Sequence, residues 1–282
     1  MREVRRKRWI STCEEHEAPV TQVGFVGAGR MGAPMVARLV QAGHQVAVLG
    51  RTEEKRAAIA ELGASAVTTV AGAVEGADVV VVCVFTDDQV RQLCLDGELV
   101  AAMAPGSALV VHTTGSPRTA QTIASKHPHV DVIDAPVSGG PHDIAAGTVT
   151  LFVGGEDAAF ERTRPVLASY GDPILHAGAT GAGQLVKLVN NTLFAAQIAL
   201  VAEGVRLGSR LGVDEASLLN ALVHGSAQSR VLAMVAAAGS ADRFVSAVGE
   251  FITKDVDVVR DTVAGLGDDL GELDRLVRMV TT

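Results

Sequence analysis

The sequence predicts an α/β protein in two parts: a parallel sheet with helices between its strands, then an all-helical half joined to it by a long helix. Three observations predict this. Short runs rich in Val, Ile and Leu recur up to about Leu175, most of them followed by a stretch of helical spacing. From Gly181 onward the strand-like runs stop and helical spacing continues. Of the 282 residues, 48% are hydrophobic and only 3% aromatic, which suits Val-rich strands buried on both faces.

The elements follow in order. Gln22–Val26 reads as a strand and Ala33–Ala42 as a helix. Between them lies Gly27-Ala28-Gly29-Arg30-Met31-Gly32. Strand, GxGxxG, helix is the context that makes this glycine pattern a dinucleotide fingerprint. Gly27 permits the tight turn, Gly29 lets backbone approach a pyrophosphate, and Gly32 lets the helix pack close. The helix N-terminus then offers N–H groups and a positive dipole end to the phosphates. The second strand is Gln45–Leu49. An acid at its tip would bind a ribose 2′-hydroxyl, whereas an arginine accommodates a 2′-phosphate. Here the tip reads Gly50-Arg51-Thr52, which favours NADP(H) over NAD(H). Arg51 can stack on adenine and pair with phosphate, and Thr52 adds a hydroxyl.

A helix over Glu53–Leu62, ended by Gly63, comes next. A strand over Ala77–Val84 follows, with Thr86-Asp87-Asp88 as a helix cap. The two acids alone do not make a convincing metal site, so none is expected. Ser107–Val111 is a strand ending in the hydroxyl-rich loop His112-Thr-Thr114-Gly-Ser116-Pro117, at the sheet edge where ligands bind. Val130–Pro136 is another strand, followed by Val137-Ser138-Gly139-Gly140-Pro141. A hydroxyl and several backbone N–H groups there form either a nest for a small carboxylate or a plain turn. Thr148–Val153, a helix over 157–169 and a short strand near 173–175 complete the first half. Helices are expected over 181–209, 214–223, 227–237 and 241–249, with a final pair after Phe251.

Bulk properties narrow the function. Net charge is −8, and residues 1–8 hold five basic side chains and one acid, so the rest is more acidic still. That argues against general nucleic-acid binding. The basic start, residues 1–18, reads as a solvated extension or an interaction arm. It lacks the apolar core of a secretory signal. No apolar stretch is expected to approach the ~20 residues of a membrane span. Three cysteines, Cys13, Cys83 and Cys94, form no CxxC pair, consistent with reduced thiols and a cytoplasmic setting. The expected organisation is the extension 1–18, a cofactor-binding domain 19–180 and an all-helical substrate and dimerisation domain 181–282.

The long helix beginning near Gly181 carries Lys187 and Asn191, four residues apart and therefore on one face. Leu185, Val186, Leu188 and Val189 surround them. The lysine either snorkels to water past its apolar neighbours or enters a polar pocket.

With these residues in view, the chain resembles the β-hydroxyacid dehydrogenase family, which includes 3-hydroxyisobutyrate dehydrogenases, tartronate semialdehyde reductases and glyoxylate/succinic semialdehyde reductases. The resemblance spans roughly residues 20–280. Four blocks carry it in order: Gly27 to Met35; Asp134 to Gly140 with Ala145, Gly147, Gly154 and Gly155; Gly181 to Asn191; and Lys254-Asp255. It implies a Rossmann-type first domain and an enzyme that interconverts a small β-hydroxy acid and its semialdehyde with NADP(H) or NAD(H). Ser138 and Gly139, with Gly140 beside them, would hold the substrate carboxylate. Lys187 would be the general acid/base and Asn191 would orient the substrate. Thr114 would lie near substrate and nicotinamide, and Lys254 would close the cleft, over the cofactor. The family also implies homodimers or homotetramers.

The chain departs from the family pattern. His112 enters the loop before Pro117 where an acid is usual, Gly50 replaces an asparagine, and His142 follows the serine-glycine signature. Two other readings compete. An imine reductase shares the fold but generally lacks the lysine. A non-catalytic NADP-binding scaffold would act through contacts, with the basic arm as its handle.

Overall fold

The computed structural model describes residues 20–265 and 267–281. The basic extension and Cys13 lie outside the described residues.

In chain order the elements are β1 (Gln22–Val26), α1 (Gly32–Gln41), β2 (Gln45–Leu49), α2 (Glu53–Glu61), β3 (Ser65–Val67), α3 (Val70–Val74), β4 (Val79–Val82), α4 (Asp87–Cys94), β5 (Ala108–Val111), α5 (Pro117–Lys126) and β6 (Asp131–Asp134). Then come β7 (Val137–Ser138), α6 (Pro141–Ala146), β8 (Val149–Gly154), α7 (Asp157–Leu167), β9 (Gly171–Gly178), α8 (Ala182–Arg210), α9 (Glu215–Leu222), α10 (Arg230–Ala238), α11 (Ala241–Ala264) and α12 (Glu272–Thr281).

The strands form one sheet in the order β3-β2-β1-β4-β5-β6-β8-β7, with β9 beside β8. β1 to β6 run parallel. β8 runs antiparallel to both β6 and β7, and β9 runs parallel to β8. The order 3-2-1-4-5-6 is that of a doubly wound dinucleotide fold, whose strand order reverses beside β1. β4 and β5 are buried along their whole length, as sheets covered on both faces require. One apolar cluster, including Phe25, Met35, Leu39 and Ile133, packs on one side of this sheet. A second, including Val74, Leu99, Leu109 and Ile123, packs on the other. The helical half has its own core, from Ala195 and Ile198 to Leu232, Val256 and Val277.

Two expectations change. The helix begun at Ala241 does not stop at Gly249; α11 continues to Ala264. A glycine inside a helix costs only about 1 kcal/mol, and Ile252, Val256 and Val259 are buried beyond it. The second correction concerns length: α8 is 29 residues and apolar enough to span a membrane by length and composition. Half of that stretch is buried inside the protein, against the sheet and the other helices.

Candidate active site

The glycine loop after β1 meets the steric demands read from the sequence. Gly27 has φ of 105°, and a Cβ there would lie 2.2 Å from the Cys83 carbonyl oxygen. At Gly32 a Cβ would lie 2.2 Å from the Gly27 oxygen, so α1 can approach the strand only as glycine. Gly29 is exposed with no protein atom within 4 Å of its Cβ position, which leaves its backbone open to a ligand. No side chain caps α1 and no acid sits in its first turn. A pyrophosphate fits that end. At the tip of β2, Arg51 is exposed, while the Thr52 hydroxyl accepts a hydrogen bond from the Lys55 N–H at 3.2 Å and caps α2.

The start of α8 is fixed by Asp134, at the end of β6. Its fully buried carboxylate accepts hydrogen bonds from Gly181 N–H at 2.5 Å and Gln184 N–H at 2.7 Å. Burial nevertheless raises its pKa to about 6. Gln184 reaches the other way. Its side chain donates to the Thr113 carbonyl at 2.8 Å and accepts from Gly115 N–H at 3.0 Å. A Cβ at Gly183 would lie 2.4 Å from the Phe152 carbonyl oxygen, so this turn of α8 touches β8 backbone. Thus α8 begins pinned to β6, to β8 and to the loop after β5.

One turn later comes Lys187, 9% exposed. No hydrogen bond or ion pair of its ammonium is found among the described residues. Burial lowers its pKa to about 8; the nearby Asp255 opposes that fall and Lys254 adds to it. A buried lysine with a depressed pKa is a candidate for a chemical role. The snorkelling alternative does not hold at this position. Asn191 is buried one turn further on, and its amide nitrogen donates to the Asp255 carboxylate at 2.6 Å. Asp255 also lies 3.3 Å from the Lys254 ammonium. Lys254 itself donates to the Phe85 carbonyl at 3.1 Å and sits 4.9 Å from the centre of that ring. α11 therefore crosses from the helical half to the end of β4.

A cleft of about 390 Å³ lies there, lined by Thr86, Thr114, Ser116, Arg118 and Lys254 among others. It brings together Thr114 and Lys254 from the expected set. Lys187 and Asn191 are not in its lining; Asn191 connects to it through Asp255 and Lys254. Ser138, the last residue of β7, and Gly139 and Gly140, on the turn to α6, are not in the lining either. The nest is also partly committed, because the Gly140 N–H donates to the Asp143 carboxylate at 2.7 Å.

The two histidines sit in opposite settings. His112 is buried, with Nδ1 2.6 Å from the Ala135 carbonyl and Nε2 2.8 Å from the Tyr170 hydroxyl. Burial lowers its pKa to about 4, so the ring is neutral, donating from Nδ1 and accepting at Nε2. His142 is a surface residue beside Asp143. Sequence reasoning named Asp134 and Asp255 within motifs but gave neither a task. Among the described residues, no group of three His, Cys, Asp or Glu could hold a metal.

A glycine-loop dinucleotide fold with a buried lysine at the domain junction defines an NAD(P)-dependent oxidoreductase. Comparison with known proteins places it further. The NAD binding domain of 6-phosphogluconate dehydrogenase matches residues 22–178, and the NAD-binding domain of NADP-dependent 3-hydroxyisobutyrate dehydrogenase matches 181–274. A Pseudomonas aeruginosa NAD-dependent L-serine dehydrogenase is 39% identical over 68% of this chain and 66% of its own. A 3-hydroxyisobutyrate dehydrogenase from the same species is 37% identical over 73% and 70%. The Mycobacterium tuberculosis 3-hydroxyisobutyrate dehydrogenase, solved with L-serine, superposes with a TM-score of 0.83 at 30% identity, covering 93% of each chain. The chain belongs to the β-hydroxyacid dehydrogenase family and is a nicotinamide-dependent hydroxyacid dehydrogenase.

Proposed function

We propose that the chain interconverts a small β-hydroxy acid and its semialdehyde, prefers NADP(H), and uses Lys187 as the general acid/base. The carrying observation is Lys187 itself: buried, without a bonded partner among the described residues, and with its pKa lowered to about 8. General acid–base groups work best with a pKa near the operating pH. Neutral Lys187 takes the proton of the substrate hydroxyl during oxidation. The ammonium returns it to the carbonyl oxygen during reduction. The nicotinamide accepts or supplies the hydride. Asn191, held by Asp255, orients the reacting oxygen beside the lysine. Ser138 and the Gly139 N–H receive the carboxylate. Thr114 and Lys254 line the cleft against substrate and nicotinamide. Gly27 to Gly32 cradle the pyrophosphate.

The named relatives support the substrate class, since L-serine and 3-hydroxyisobutyrate each carry a primary alcohol β to a carboxylate. They divide on the cofactor, one being NAD-dependent and one family description NADP-dependent. Arg51 and the lack of an acid at the tip of β2 favour NADP(H).

Absorbance at the nicotinamide band tests the reading, for wild type and Lys187→Ala, with NADPH or NADH and a panel of small semialdehydes. Turnover that prefers NADPH and collapses in the variant supports it. Turnover that survives in the variant moves the proton donor elsewhere and favours imine-reductase chemistry. Tight NADPH binding without turnover on any member of the panel favours the scaffold.

We further propose a cytoplasmic homodimer or homotetramer. Leu185, Val189, Leu193, Leu200, Leu207 and Leu211 form one exposed apolar stripe along α8 and its end. Light scattering that shows a monomer at micromolar concentration overturns this.

A further inference from the structure

Gly50 stands at the end of β2, where the ribose of a bound dinucleotide is read. It is buried, its N–H donates to the Val67 carbonyl at 2.9 Å, and its own carbonyl accepts from the Arg56 guanidinium at 3.2 Å. A side chain there has no room. A Cβ would lie 2.7 Å from Arg56 Cγ, 3.0 Å from Ile59 Cδ1 and 3.3 Å from Arg56 Cα. The glycine therefore lets the stem of Arg56 lie across the end of the strand. That brings a second guanidinium to the tip which already carries Arg51. Only one of the five N–H donors of a guanidinium is used on Gly50. The exposed Arg51 has no hydrogen bond or ion pair among the described residues. Lys55 adds a third cation to this turn, and Glu53 and Glu54 oppose the three. Two planar guanidinium groups on a short arc of backbone suit the tetrahedral oxygens of a phosphate monoester.

We infer that Arg56, seated by the missing side chain at position 50, is a second specificity residue for the ribose 2′-phosphate beside Arg51. The inference rests on the NADP(H) reading above. It makes Gly50 and Arg56 a coupled pair, because filling the space at 50 displaces the arginine.

Calorimetric binding of 2′,5′-ADP and of 5′-AMP to the full chain tests it without turnover. Wild type is expected to bind 2′,5′-ADP more tightly. Arg56→Ala should lose roughly tenfold of that affinity, the lower range for one charge-assisted contact, with 5′-AMP binding unchanged. Arg56→Lys should fall between the two, since it keeps charge and stem but loses the fork. Gly50→Ala should match Arg56→Ala, and the double variant should lose no more than either single one. If Arg56→Ala stays within about twofold of wild type while Arg51→Ala loses affinity, the inference is wrong and the NADP(H) reading stands. If wild type itself shows no preference for 2′,5′-ADP, the NADP(H) reading fails and takes the inference with it.

Discussion

Three buried polar groups near the sheet fall into two kinds. Asp134 and His112 are fully engaged: the carboxylate holds two N–H groups of α8, and the imidazole is held at both nitrogens. Lys187, only three residues beyond Gln184, is also buried and has no bonded partner among the described residues. A buried polar group without a partner costs stability. A fold tolerates that cost where the group has other work, so the satisfied pair is architecture and the lysine is the one proposed above for chemistry. The contrast is sharper than burial or pKa alone, because all three groups are perturbed.

The largest effect that could break the comparison is on Lys187. Lys187→Ala is expected to lower turnover ~10²–10⁴-fold with the fold intact, and Lys187→Met to raise the melting temperature. The linkage has a definite sign. The folded pKa of about 8 lies below the ordinary value of 10.5, so the unfolded chain binds the extra proton between them. Wild-type stability should therefore rise with pH across that window, and the Met variant should lose the rise. Urea unfolding at several pH values reads this. A flat wild-type profile would make Lys187 an ordinary surface cation.

Next in size is Asp134→Ala, which orphans two buried N–H groups. About 3 kcal/mol of stability should go, with kcat lowered only through misalignment of α8. Thermal unfolding with no loss would remove the architectural half of the contrast. A smaller effect belongs to Asp255→Asn. Removing the charge that opposes the fall of the Lys187 pKa should move the pH midpoint of the oxidation rate downward. The wild-type rate is expected to rise through about 8 as Lys187 becomes neutral. An unmoved midpoint would leave Asp255 as a holder of Asn191 alone. Smallest is Ser138→Ala, expected to raise KM roughly fivefold for the loss of one hydrogen bond of ~1 kcal/mol, with kcat unchanged.

Much of the fold was legible because its signals are local. Buried strands such as Val79–Val82 read directly as apolar runs, and the glycine loop read from spacing. β3 and α3 were missed, being three and five residues with weak apolar character at the sheet edge. Of the site, Lys187 and Asn191 were visible as polar residues on an apolar helix. The task of Asp134 was not, since its partners lie 47 and 50 residues away and only the crossing of β6 and α8 brings them together. His112 could not be sorted from sequence either. Its partners, Ala135 and Tyr170, belong to a neighbouring strand end and to the turn after α7. Gly50 was noted as a departure, but its consequence for Arg56 is a matter of packing across six residues.

The attachment of α8 has a mechanical consequence. Its first turn is bonded to β6 and to the loop after β5 and rests on β8, so Lys187 travels with the sheet. Lys254 and Asp255 travel with α11. Asn191, one turn further along α8, holds Asp255, and the Phe85 carbonyl holds Lys254, so both charges are fastened to the seat of the lysine. The lysine and the two charges that set its acidity are thereby clamped together across both halves, and a titration of Lys187 with and without cofactor would read any change in their spacing.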